Sequence, residues 1–157
     1  MNIRSVIIGT ALLATAHAAV VAQTLRPALD YASAATIRET CLAWAGERGM
    51  KAAIAVRDPR GMLVAYAHLD GTSTAAGEAA LWKSDSASRF GAATADLAKL
   101  NPPANMPAVA TIRGGVPIYT KDGVLLGGVG VSGMKSEDDA ACASAGIEAA
   151  GLVPARP

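Results

Sequence analysis

Apolar and small positions first take up a helical rhythm after Pro27. Leu29, Ser33, Ile37, Cys41 and Trp44 recur at three- and four-residue spacing, and Gly49 closes the stretch. That pattern predicts an amphipathic first helix beginning near Pro27. Residues 52–57 then read as a short strand and residues 62–69 as a second. Between them, Asp58-Pro59-Arg60-Gly61 reads as a turn, because proline fixes φ and glycine accepts a positive φ.

A helical stretch follows over about 75–90, with Ala79, Trp82, Ser86 and Phe90 on one face. A shorter helix fits 94–100, with Thr94 as its N-cap. The proline-broken segment 101–107 is a loop, placed to cover a pocket. Three strands are expected next, over 109–113, 116–120 and 124–132, the last two joined at Lys121-Asp122-Gly123. Gly127, Gly128 and Gly130 strip the last strand of bulk, which points to close approach of a backbone or a ligand. Ser136 is placed to cap a final helix, with Glu137, Asp138 and Asp139 near its positive end and Gly151 after it. The tail beyond residue 150 reads as a frayed end. Hairpins dictate antiparallel pairing, so the order predicts an α+β domain with a five-stranded antiparallel sheet flanked by helices.

Residues 1–22 carry a different pattern. Arg4 precedes an apolar run from Ser5 to Ala16, and small residues then cluster up to Ala22. This is the order of a secretory signal, with cleavage after Ala18 or, better, after Ala22. The alternative is an uncleaved anchor, since 5–22 is near the lower limit for spanning a bilayer. Residues 23–157 then form one domain, periplasmic or secreted, with no membrane span after signal removal.

Composition narrows the picture. More than half of the 157 residues are apolar but only 4% are aromatic, so the core must be built from Ala, Val, Leu and Ile. Loss of Arg4 takes the net charge from +1 to zero. No basic stripe remains, so nucleic acid is not an expected partner.

Several segments together resemble the GlcG/HbpS-like haem-binding domain family, which also forms the C-terminal domain of PduO-type proteins. They are residues 55–61, Leu69-Asp70-Gly71, residues 83–90, Gly114-Gly115-Val116-Pro117-Ile118, residues 127–133 and residues 137–143. They stand in the family's order and span nearly all of the chain after residue 22. The resemblance implies a profilin-like three-layer α+β domain, frequent homo-oligomers and, for some members, haem as ligand. His68 stands where the family commonly has arginine before Asp-Gly.

His68 is the only histidine after residue 22. It ends a strand on the face of Tyr66 and Val64, with Leu63, Ala65, Ala67 and Leu69 facing the core. Neutral imidazole is a good haem-iron ligand, and the competing reading is a half-exposed polar residue closing a strand. A single histidine excludes bis-histidine ligation within one chain and a histidine-rich zinc site. Lys83 either pairs with a ligand carboxylate, such as a haem propionate, or faces solvent. Gly114, Gly115, Gly130 and Ser132 either present backbone N–H groups to an anion or serve turns and tight packing. They do not match phosphate-loop or dinucleotide patterns. Ser132 has no neighbouring histidine to activate it, so serine hydrolase chemistry is not expected.

Cys41 and Cys142 are an even pair in an exported chain, which permits either a bridge or two buried thiols. In the family's fold the first and last helices lie on one side of the sheet, and this implies a Cys41–Cys142 disulfide.

The leading expectation is therefore an exported haem- or tetrapyrrole-binding accessory protein, acting in binding, storage or sensing. The alternative is a small-molecule enzyme using Lys83, Asp70 or His68 as acid–base groups. An oligomeric interaction module is the third reading.

Overall fold

The computed structural model describes residues 25–157. The expected signal segment, residues 1–22, lies outside the described residues. Helix α1 spans Tyr31–Gly46, later than Pro27, because Asp30 caps it by accepting the Ser33 N–H at 2.7 Å. Strands β1 (Ala53–Arg57) and β2 (Leu63–His68) form the expected hairpin. Its turn closes through Gly61 N–H to Asp58 O, with Gly61 at φ 81°. Helix α2 (Thr74–Phe90) is capped by Ser73, and α3 spans Thr94–Lys99. Strands β3 (Gly115–Tyr119) and β4 (Leu125–Ser132) and helix α4 (Ser136–Ala149) complete the order.

The sheet has four strands in the order β2-β1-β4-β3, all antiparallel, where five were expected. Residues 109–113 form no strand. Two of their backbone groups bond helix side chains instead. The Ala110 N–H donates to Ser86 Oγ (3.0 Å), and Thr94 Oγ1 donates to Ile112 O (2.7 Å). Thr94 is therefore not an N-cap, and Ala93 occupies that place with no side-chain bond. Ser136 is likewise the first helical residue rather than a cap. The outer edge of β3 is held by Val153, which exchanges both backbone hydrogen bonds with Tyr119, so the tail is anchored there rather than frayed.

Strand alternation sorts the sheet into two unlike faces. Ile54, Val56, Val116, Ile118, Val129 and Val131 pack against Ile37, Cys41, Cys142 and Ile147 of α1 and α4. Each such aliphatic burial stabilises the fold by about 1.5–3 kcal/mol. The other face carries Ala53, Ala55, Gly128 and Gly130 and takes α2. A Cβ on Gly130 would collide with Ala80 O and Ser84 N, and one on Gly128 with the Ser88 backbone N. The bare strand thus admits the backbone of α2, and α2 meets it with Ala76, Ala80, Ser84 and Ala87 rather than with Trp82 and Phe90. Alternation fails at the start of β2, where a bulge pairs Arg57 with Leu63. Leu63 is exposed and Val64 packs on the core, the reverse of the expected assignment.

Among the described residues no helix is long and apolar enough to cross a membrane.

Candidate functional site

Tyr66 and His68 leave β2 on the side of α2, and α2 meets them with Gly77. A Cβ at Gly77 would lie 2.8 Å from Tyr66 Oη and 3.0 Å from His68 Cδ2, so the absent side chain leaves both rings their space. Around them Thr74, Glu78 and Leu81 complete an open groove of about 380 Å³ between β2 and α2. His68 is exposed, and its Nε2 lies 3.2 Å from Ser73 O. A carbonyl only accepts, so this nitrogen carries the proton and Nδ1 holds the lone pair of the neutral ring. A carbonyl partner of this kind fixes the tautomer and ring orientation of a ligating histidine.

Lys83 is elsewhere and otherwise engaged. It is 1% exposed, and its Nζ donates to Val131 O (2.9 Å), Ser132 Oγ (3.3 Å) and Asp139 Oδ2 (3.1 Å). All three ammonium donors therefore have protein partners, with none presented to a cavity. Asp139 also accepts the Met134 N–H at 3.2 Å. Burial pushes the Asp139 carboxyl above its ordinary value, against the opposing pull of the Lys83 charge and hydrogen bond. Gly114 makes room for the pair, since a Cβ there would lie 2.8 Å from Lys83 Nζ and 2.9 Å from Asp139 Cβ.

The remaining candidates separate from the groove. Gly115 packs against the Lys83 carbonyl and the Thr94 side chain, while Gly130 packs against α2. Ser132 belongs to the Lys83 cluster. Asp70 is exposed in the turn after β2 and does not line the groove. Cys41 and Cys142, both buried, form a disulfide with Cα atoms 4.8 Å apart. It joins α1 to α4, as the resemblance implied. The proline-rich loop lines a second cavity of about 540 Å³, with Trp82, Met106 and Val109 in its wall. Among the described residues no group of three or more His, Cys, Asp or Glu side chains gathers to hold a bare metal ion.

An antiparallel sheet between a two-helix layer and a third helix on its other face is a fold met in solved structures. The crystal structure of HbpS matches at 26% identity and a TM-score of 0.75, covering 84% of this chain and 96% of that one. A double mutant of Streptomyces reticuli HbpS matches at 25% and 0.75, covering 87% and 97%. A PduOC:heme complex shares the fold at 22% identity and a TM-score of 0.75, covering 83% and 100%. No curated protein matches the chain by sequence. The profile of the family described as "Haem degrading protein HbpS-like" matches residues 29–148. The chain belongs to the HbpS-like family.

Proposed function

We propose that the protein binds haem in the groove between β2 and α2, with His68 as an iron ligand. The single observation that carries this is the convergence of Tyr66 and His68 over Gly77 in an open groove with Leu81 in its wall. The groove fits the group chemically. A histidine with a free ring nitrogen suits haem iron, while aromatic and aliphatic walls suit a porphyrin face. Bound haem would supply a redox-active iron centre, which His68 would hold. The chain's own residues would do the rest. Ser73 O holds the imidazole in the tautomer that leaves Nδ1 free, Tyr66 and Leu81 exclude water from one face, and Gly77 leaves room for both rings against α2.

Export to an oxidising compartment is part of the proposal, supported by the signal-like residues 1–22 and by the Cys41–Cys142 bridge. So is self-association, supported by the exposed apolar residues Trp82, Phe90, Leu100, Met106 and Ile112. Family membership and the PduOC:heme neighbour favour the haem reading over an enzyme of unrelated chemistry. The enclosed Lys83 does the same. Titrating the purified protein with hemin tests it. A shifted Soret band saturating at a fixed stoichiometry supports the proposal, and a spectrum equal to hemin in buffer overturns it.

A further inference from the structure

The sheet face beside the groove carries a charged residue beyond it. In β1, Ala53 and Ala55 face α2, and Arg57 continues that face. Its Nε donates to Ser84 Oγ at 3.1 Å and its Nη1 to Gly61 O. Ser84 is fully buried and donates in turn to Leu81 O at 2.9 Å, and Leu81 lines the His68 groove. The guanidinium thus sits one helical turn beyond that wall residue.

Three arginines gather around the Asp58–Gly61 turn. Arg60 is paired with Asp58 (2.7 Å) and Arg89 with Asp85 (2.8 Å). Arg57, half-buried, has no carboxylate partner among the described residues and has protein acceptors for two of its five N–H donors. One positive charge is left over. Within the groove itself the charged side chain is Glu78. The separation also has meaning. Tyr66 and His68 converge at Gly77, while Arg57 is held at Ser84, seven residues along α2 or about 10 Å along its axis. That is the scale on which the propionate carboxylates of a haem lie from its iron.

We infer that Arg57 is a carboxylate clamp for the groove, taking a propionate of the bound tetrapyrrole and fixing which edge of the ring enters. This rests on the haem reading and adds the group that sets orientation. A guanidinium fork fits a carboxylate bidentately, whereas an esterified propionate offers no charge and a poorer acceptor.

The test compares hemin with hemin dimethyl ester on the wild-type protein and on Arg57→Gln, reading affinity from the Soret band. The wild type is expected to prefer hemin by about tenfold or more, the scale of one charged hydrogen-bonded contact. Arg57→Gln is expected to bind both alike, with the ester affinity unchanged. Equal discrimination by wild type and variant overturns the clamp while leaving haem binding in place. Absence of any Soret shift with wild type overturns the haem reading and the clamp with it. If Arg57→Gln does not fold, Arg57→Lys decides. It keeps the charge but loses the fork, so the preference should fall several-fold, and an unchanged preference overturns the inference.

Discussion

Lys83 Nζ lies 3.1 Å from Asp139 Oδ2, and this contact ties the helix on one face of the sheet to a helix on the other. The pair is 2% and 3% exposed at its side chains, so neither charge has water to fall back on. Removing one partner strands the other. Asp139→Asn is expected to cost about 3–5 kcal/mol in urea denaturation, while replacing both residues with apolar ones recovers most of the loss. The exposed Lys99–Asp96 pair is the control, expected to be worth about 0–1 kcal/mol.

The same pair makes a pH prediction. In Lys83→Met the Asp139 carboxyl loses the charge that opposed its burial, so its folded pKa stays above the unfolded value. An acid with a raised folded pKa contributes stability that is full below the unfolded pKa and lost as pH rises through the folded one. Lys83→Met should therefore lose stability relative to wild type as pH rises from the unfolded carboxyl range of about 4. A difference that does not change with pH contradicts the assignment.

The Cys41–Cys142 bridge spans 101 residues of sequence. Loop-closure entropy gives such a link on the order of 4 to 5 kcal/mol. The Cys41→Ala, Cys142→Ala double variant should melt at a clearly lower temperature, and wild-type protein purified without reductant should show no free thiol before denaturation. Two titratable thiols in that material would remove the bridge from the account.

Gly130→Ala should be severely destabilising, because the new methyl meets the backbone of α2 at Ala80 and Ser84 rather than a side chain able to turn away. Gly46→Ala, at the end of α1 with nothing within 4 Å, should be neutral or stabilising by up to about 1 kcal/mol. Comparable destabilisation by both would contradict the close seating of α2 on β4.

Much of the fold was legible where local chemistry and tertiary packing agree. Asp58 to Gly61 and Asp122-Gly123 marked both hairpin turns, and Gly123 indeed adopts φ 84°. Residues 109–113 misled because an apolar, β-branched run reads alike whether a strand or two helix side chains take its hydrogen bonds. The inner face of α2 was hidden for a related reason. Apolar spacing favoured Trp82 and Phe90, but a sheet face of alanine and glycine accepts only small residues, so the larger rings turn outward. Lys83 looked available because a lysine between Trp82 and Ser84 carries no local mark of burial. Its partner lies 56 residues away. His68 and Tyr66 were readable as one strand face, whereas Arg57 was missed. The usable signal was a charged residue ending an otherwise buried strand.

Hemin titration of His68→Ala beside the wild type, followed at the Soret band, decides whether the imidazole ligates the iron. Binding through the imidazole predicts that the variant shifts the Soret maximum or weakens hemin binding, with the far-ultraviolet circular dichroism unchanged because His68 is exposed. Identical Soret maxima and affinities for the two proteins would contradict it and move the iron ligand off His68.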